Sequence, residues 1–255
     1  MRRILGGLLL SIFMVGGLGA ITYGVPDGNA HPNVGLLIAK IGDSYYAVCS
    51  GTLVSPTVFL TAAHCTDAIE DLNGETFVTF QSAPPYDVKD FLSGTPYTHP
   101  DWETLRTDVG VVLLDKAVRG ITPAQVPSEG YLDELSTQRG LDEVFFTHVG
   151  YGTQSVRPFP LSIVQRYQGV SSLVNLESAL TGGVNLQTTA NPGGGRSGIC
   201  FGDSGGPAFF EDTDIVVAVH SFVLNTNCKG TAVSYRVDTA TTLNFLAQFG
   251  VFPSF

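Results

Sequence analysis

Residues 200–207 of the chain read Cys-Phe-Gly-Asp-Ser-Gly-Gly-Pro. Ser204 is surrounded by glycines at positions 202, 205 and 206, so the backbone here can turn tightly and approach a substrate closely. The backbone N–H groups of Gly202 and Ser204 are candidate donors to an oxyanion, the negative charge that develops during acyl transfer. The stretch predicts a nucleophilic serine, with an ordinary glycine-rich turn as the alternative.

A nucleophilic serine needs a base to remove its proton, and the base needs an acid to fix its tautomer. Histidine is the usual base because its pKa lies near working pH. Residues 61–65 read Thr-Ala-Ala-His-Cys and contain His64, and residues 108–114 read Asp-Val-Gly-Val-Val-Leu-Leu and begin with Asp108. The candidate base, acid and nucleophile therefore follow one another along the chain in the order His, Asp, Ser.

These three stretches resemble the histidine, aspartate and nucleophile motifs of the trypsin/chymotrypsin-like serine peptidases. The resemblance covers residues 21–250 and extends to three further segments: residues 49–55, His99-Pro100 and residues 150–152. It implies an all-β fold of two antiparallel six-stranded β-barrels and a serine endopeptidase that works through an acyl-enzyme. It also implies a catalytic triad in the cleft between the barrels, formed by His64, Asp108 and Ser204.

The cysteines point to an oxidising environment. The chain has four of them, Cys49, Cys65, Cys200 and Cys228, and an even number in an exported protein favours disulfides. Their spacing alone leaves three pairings open, and a zinc site is the competing interpretation because Cys65 follows His64. The family resemblance implies the pairs Cys49–Cys65 and Cys200–Cys228, and the small number of bridges fits a microbial-type member.

The first twenty residues have the layout of a secretory signal peptide. Arg2 and Arg3 precede an apolar run from residue 4 to residue 15, and small residues end at Ala20. An uncleaved membrane anchor is the alternative, but the apolar stretch is marginal in length for a membrane span. Removal of residues 1–20 takes the formal net charge from −10 to −12, which argues against nucleic acid or anionic membrane as a partner.

We therefore expect a secreted monomer that acts on protein or peptide substrates, without stable membrane association after signal cleavage. Its two barrels are predicted to span residues 21–122 and 123–255, with a crossover near Pro123 and Pro127.

Short apolar and β-branched runs, separated by glycine, proline, asparagine and aspartate, predict antiparallel strands. The predicted strands are Val34–Ile41, Tyr45–Val54, Val58–Thr61, Thr76–Phe80, Val109–Leu114, Val144–Val149, Ile215–Val223 and Thr231–Val237. Only the C-terminus has a helical pattern, with Asp238 as the expected N-cap and a stripe at Leu243, Leu246, Ala247 and Gly250.

Asp203 is next to the nucleophile, so it is not the triad acid. The family resemblance implies that it pairs with the new α-amino group of the mature chain and thereby orders the oxyanion hole. Residues 21–24, Ile-Thr-Tyr-Gly, begin directly after the predicted cleavage and are similar to the start of mature relatives. We expect signal cleavage itself to create the activating terminus at Ile21.

The resemblance also predicts the substrate pocket. Gly198 occupies the position at the pocket base where a carboxylate would select arginine or lysine, and Ile199 follows it. The expected walls are Ser221, Phe222, Val223 and Ala232. This pocket is apolar and shortened, so we expect a preference for small or medium apolar side chains.

The other candidate groups have plainer interpretations. We expect His31 and His99 to lie in loops, and His148 and His220 to be packed strand residues. The acidic residues between Asp67 and Glu75 suggest calcium or a solvated loop, and their spacing is unclear, so we predict no metal and no cofactor. The glycine-rich residues 191–198 form a linker or a wall of the active site.

Two other function classes compete. A lipase or esterase of the α/β-hydrolase class also uses a Gly-x-Ser-x-Gly turn, but it needs its acid and base after the serine, within a parallel sheet. A peptidase-like fold can also serve as a non-catalytic binding module. All three candidate triad residues are present, which favours catalysis.

Overall fold

The computed structural model describes residues 21–102, 107–136, 144–154, 164–177 and 182–255. The predicted signal peptide lies outside these residues. The described part begins with a short strand, β1 (Val25–Pro26). Beyond β1, its strands form two closed six-stranded antiparallel barrels, as the family resemblance implied. This architecture excludes the parallel sheet of an α/β-hydrolase.

The first barrel closes in the order β2-β3-β4-β7-β6-β5. Its strands are β2 (Val34–Ile41), β3 (Ser44–Ser55), β4 (Val58–Thr61), β5 (Glu75–Thr79), β6 (Leu92–Thr98) and β7 (Gly110–Leu114). Helix α1 (Ala63–Asp71) connects β4 to β5, and a 3₁₀ turn at Val88–Asp90 precedes β6.

The interior of the first barrel is packed around the buried ring of Phe59. Glycines in β2 and β3 make room for this ring, because a Cβ at Gly51 would lie 2.3 Å from the Phe59 ring and one at Gly35 would lie 2.9 Å from it. Close packing of this kind leaves little space for larger residues at these two positions.

The second barrel consists of β8 (Phe145–Gly150), β9 (Tyr167–Asn175), β10 (Asn185–Ala190), β11 (Pro207–Phe210), β12 (Val216–Val223) and β13 (Gly230–Arg236). Pairing between β8 and β9 closes it, and β1 adds to the outside of β9. Helix α2 (Asp133–Ser136) precedes the barrel, a 3₁₀ turn at Pro192–Gly194 lies within it, and α3 (Ala240–Ala247) follows β13.

The eight predicted strands are confirmed, with ends that differ by no more than one residue, and the C-terminal helix is confirmed at Ala240–Ala247. Strands β1, β6, β9, β10 and β11 and helices α1 and α2 were not predicted. The predicted N-cap was wrong: Thr239 caps α3 by accepting a hydrogen bond from the Thr242 N–H. Asp238 instead binds the guanidinium of Arg236 and the backbone N–H of Leu132, because a buried arginine requires a charged partner.

Arg166, directly before β9, joins the two barrels. Its side chain is fully buried, and its Nε lies 2.8 Å from Asp27 Oδ2 in the N-terminal segment. Its Nη1 donates to the carbonyl oxygens of Val34 and Phe80 in the first half of the chain. The N-terminal segment therefore packs against both barrels, and the predicted domain boundary at residues 122 and 123 stays a prediction. Within the described ranges, no helix is long and apolar enough to cross a membrane.

Candidate active site

His64 and Asp108 meet at the edge of the first barrel. His64 lies in the first turn of α1, and Asp108 is a buried residue two positions before β7. The Nδ1 of His64 is 2.9 Å from Asp108 Oδ2, and the backbone N–H of His64 donates to Asp108 Oδ1 at 3.0 Å. Since an ionised carboxylate only accepts hydrogen bonds, Nδ1 carries the proton and Nε2 is left as the basic nitrogen.

The surroundings of Asp108 favour the ionised form of its carboxyl group. Burial opposes the charge, but hydrogen bonds from His64 and from the hydroxyl of Ser221 outweigh it, so the pKa of Asp108 lies below its ordinary value. Ser221 belongs to β12 of the second barrel, and its Oγ donates to Asp108 Oδ2. This bond crosses the cleft between the barrels. Ser221 and Ser204 also line the same cavity, so Ser221 connects the His64–Asp108 pair to the cavity beside Ser204.

The turn that carries Ser204 is held against the first barrel. The Ser204 carbonyl accepts a hydrogen bond from the Ser50 N–H at 2.8 Å. Gly205 has φ +81°, and a Cβ there would lie 2.1 Å from Thr61 Oγ1, three residues before His64. Only glycine allows this approach, which explains the Gly-rich sequence after the nucleophile.

Hydrogen bonds to two carbonyl groups orient the candidate oxyanion donors. The Phe201 carbonyl accepts from the Thr153 N–H at 2.7 Å, and the Asp203 carbonyl accepts from the Gly206 N–H at 2.9 Å. The C=O and N–H of a trans peptide point in opposite directions. The N–H groups of Gly202 and Ser204 therefore point away from these partners, and neither donates to an acceptor in the described part of the chain.

Ser50 connects the turn that carries Ser204 to the loop that contains Tyr151. Its Oγ donates to the Gly202 carbonyl at 3.0 Å and accepts from the Tyr151 N–H at 2.9 Å. Sequence reasoning did not single out Ser50 or Tyr151. Their signal was present in the two segments that resembled the family, residues 49–55 and 150–152.

The carboxyl group of Asp203 is fully buried beneath the turn. It accepts hydrogen bonds from the Gly152 N–H at 2.8 Å and the Cys200 N–H at 2.9 Å. Burial raises its pKa to about 7, although these two bonds work in the opposite direction. No cationic side chain pairs with it in the described residues. Ile21, its predicted partner, is also fully buried and packs in a cluster with Tyr167 and Ile199.

A cavity of about 170 Å³ opens beside Ser204. Four of the six predicted pocket residues line it: Ile199, Ser221, Phe222 and Val223. Gly198 and Ala232 lie behind the lining instead. A Cβ at Gly198 would lie 2.3 Å from the Ala190 side chain, and Ala232 packs in the buried cluster with Ile199. The residues that line the cavity carry no charged side chain.

Phe201 separates this cavity from a second one of about 270 Å³, and lines both. Its side chain is 54% exposed although it is aromatic. The apolar side chains of Leu36, Val48 and Val164 lie in the wall of the second cavity. Sequence reasoning missed Phe201 as a site residue, and its position inside the quoted motif was the only signal.

Both disulfides implied by the resemblance are present, Cys49–Cys65 and Cys200–Cys228. The first joins β3 to α1 beside His64, and the second joins the nucleophile segment to the loop before β13. Cys49, Cys65 and His64 are close enough in space to suggest a metal site. The two sulfurs are bonded to each other, however, so they are not the thiolates that bind zinc.

The geometry agrees with comparisons to known proteins. The family model named Trypsin matches residues 26–244. The chain belongs to the trypsin family of serine endopeptidases. Two curated relatives are similar to this chain. A trypsin of Phaedon cochleariae is 29% identical over 178 residues, which is 64% of this chain and 64% of that protein. A brachyurin of Leptuca pugilator is 27% identical over 253 residues, covering 94% of this chain and all of that protein.

The same fold occurs in a solved structure of HL collagenase. It matches with a TM-score of 0.71 at 20% identity, over 90% of this chain and 98% of that one. At this identity the similarity concerns the fold. The interpretation of this chain as a microbial-type member of the family stays a prediction.

Proposed function

We propose that this trypsin-family chain is a secreted endopeptidase that hydrolyses peptide bonds with Ser204 as nucleophile, His64 as base and Asp108 as the acid that orients the base. The observation that carries the proposal is the pair of hydrogen bonds at Asp108. One fixes the tautomer of His64, and the other, from Ser221, ties that pair to the barrel that contains Ser204.

The reaction follows from this arrangement. The Ser204 hydroxyl transfers its proton to His64 Nε2 as its oxygen bonds to the substrate carbonyl carbon. The N–H groups of Gly202 and Ser204 stabilise the resulting oxyanion. His64 then protonates the departing amine, the C–N bond breaks, and an acyl-enzyme remains. Water, deprotonated by His64, attacks the acyl carbon, and the proton returns to Ser204 as the acid product leaves.

The cavity beside Ser204 supports a preference for small or medium apolar side chains on the acyl side of the cleaved bond. It is small, apolar and without a buried carboxylate, so a lysine or arginine side chain would lose its hydration without gaining a partner. Comparison of kcat/KM for peptides with valine, phenylalanine or arginine at this position tests the preference. Faster cleavage after arginine would contradict it.

We also propose that cleavage after Ala20 releases the mature protein, and that the new amino group of Ile21 pairs with Asp203. The supporting observations are the buried carboxyl group of Asp203, which has no cationic partner in the described residues, and the burial of Ile21 in a cluster with Ile199. Ile199 precedes Cys200, whose backbone N–H donates to Asp203. A buried carboxylate is costly unless it is paired. Sequencing of the secreted protein from its N-terminus should begin at Ile21.

A fluorophosphonate probe tests the catalytic proposal directly, because it labels only an activated serine. We expect labelling of the mature protein, and its loss in both Ser204→Ala and His64→Ala. The matched control is Ser93→Ala, at an exposed serine in β6; it should label normally. Labelling that persists in Ser204→Ala would refute the assignment of the nucleophile.

A further inference from the structure

Two buried histidines lie behind the nucleophile turn, inside the second barrel. His148 in β8 and His220 in β12 are fully buried. His148 Nδ1 is 2.8 Å from His220 Nε2, and the ring centroids are 4.9 Å apart. At the far end, His148 Nε2 is 3.2 Å from Thr188 Oγ1, and at the near end His220 Nδ1 is 3.2 Å from the Asp203 carbonyl oxygen. The reaction scheme above uses none of these side chains.

The donor and acceptor of each of these hydrogen bonds can be assigned by starting from His220 Nδ1. A carbonyl oxygen only accepts, so His220 Nδ1 carries a proton and donates to Asp203. Burial keeps both rings neutral, lowering the pKa of His148 to about 3 and that of His220 well below its ordinary value. A neutral His220 then has an accepting Nε2, so His148 donates from Nδ1. His148 Nε2 accepts in turn, and the Thr188 hydroxyl donates to it.

All three bonds thus point the same way, toward the Asp203 carbonyl. That carbonyl belongs to the same peptide unit as the Ser204 N–H. It already accepts from Gly206 at 2.9 Å, and His220 supplies a second donor. The backbone of His220 also holds the turn, accepting from the Gly205 N–H and donating to the Gly206 carbonyl, each at 2.8 Å.

Hydrogen bonds in series polarise one another. A donor on the carbonyl of a peptide draws electron density toward its oxygen, and this makes the N–H of the same peptide a stronger donor. The affected N–H is that of Ser204, on the opposite side of the peptide, where the oxyanion forms.

We infer that Thr188, His148 and His220 form a one-directional hydrogen-bond chain that orients and polarises the Asp203–Ser204 peptide, which makes His220 a positioning residue for the oxyanion hole. The inference rests on the proposed function, because it needs the Ser204 N–H to bind the oxyanion. The histidines themselves touch neither the substrate nor the reacting atoms.

Two substitutions of His220 separate positioning from simple packing. His220→Leu fills the space without a donor, whereas His220→Asn keeps an N–H near the position of Nδ1. We expect His220→Leu to lower kcat for a peptide anilide about three- to tenfold, less than the 10²–10³ lost when a whole oxyanion donor is removed. KM should change less than about twofold. Affinity for a peptide boronate, which places an oxygen in the oxyanion hole, should fall by the same factor as kcat.

His220→Asn should restore kcat to within about twofold of the unsubstituted enzyme. The matched control is Ser171→Ala in β9, at a buried hydroxyl without a hydrogen-bond partner in the described residues; it should leave kcat and boronate affinity unchanged. An unchanged kcat in His220→Leu, or an equal loss in His220→Asn, would overturn the inference.

A measurement on the unsubstituted protein keeps the inference testable if His220→Leu does not fold. Nitrogen NMR of ¹⁵N-labelled histidine should find both buried rings neutral near pH 7 and protonated at Nδ1. A His220 ring protonated at Nε2 would refute the hydrogen-bond chain. Fluorophosphonate labelling of the same sample separates the two proposals. If the protein is not labelled, the proposed function fails. If it is labelled but His220 is protonated at Nε2, only the inferred hydrogen-bond chain fails.

Discussion

A protein that begins at Ala20 instead of Ile21 should lose stability as the pH rises toward neutral. One extra residue moves the α-amino group away from Asp203, whose buried carboxyl group then keeps the raised pKa of about 7. In an unfolded chain the pKa of this group is near its ordinary value of 3.8. Between these two pH values the folded state binds more protons than the unfolded state, so the free energy of unfolding falls with rising pH.

The size of the effect follows from the shift. About three pKa units correspond to about 4 kcal/mol of stability lost between pH 4 and pH 7. For a chain of this length, that equals a decrease in Tm of about 8 to 16 °C. The protein that begins at Ile21 should not show this decrease, because its ammonium group stabilises the ionised carboxylate.

The assay is thermal unfolding of both proteins from pH 4 to pH 8, each carrying Ser204→Ala to prevent self-digestion. Asp203→Asn serves as the control, and should make the pH dependence of the two proteins the same. Superimposable curves for the Ala20 and Ile21 proteins with Asp203 intact would refute the pairing of Ile21 with Asp203.

Three further changes test other parts of the molecule. Val223→Gly enlarges the cavity beside Ser204, so the kcat/KM ratio of phenylalanine to valine substrates should rise about tenfold or more; an unchanged ratio would place the substrate side chain elsewhere. Ser221→Ala removes a hydrogen bond to an ionised carboxylate and should cost about 1.5 to 3 kcal/mol at pH 7. Because the pKa of Asp108 is lowered by folding, this cost should shrink below pH 4 in urea unfolding, and a cost independent of pH would argue against an ionised Asp108. Arg166→Met leaves the Asp27 carboxylate buried without its arginine and should cost about 3 to 5 kcal/mol, part of which Asp27→Asn should restore; full stability of Arg166→Met alone would show that the ion pair is dispensable.

The sequence predicted the strands whose inward residues are apolar, such as β2 and β12. It missed β6, which alternates between half-buried and exposed residues and contains Gly94 and Pro96. It missed β10 because most residues of this strand are polar, as in a loop. The place of Thr188 in the barrel becomes clear only from its hydrogen bond to His148. Helix α1 was missed because its buried side chains include Thr66, and its outer face is acidic.

The candidate site divides in the same way. Short motifs were enough to propose His64, Asp108 and Ser204 as the triad, because each lies in a recognisable local sequence. Residues that act through partners far away in the chain were not predictable from short motifs. Ser50 and Gly202 are 152 positions apart, and His148 and His220 are 72 positions apart.

Ser50 has a consequence for how the enzyme fails on heating. Its backbone N–H and its hydroxyl hold the carbonyls of Ser204 and Gly202, so a first-barrel residue keeps second-barrel groups in place. A slight separation of the barrels would break these bonds while each barrel remained intact. Inactivation would then occur below the temperature at which the barrels melt. It would be reversible on cooling, because each barrel would still be folded.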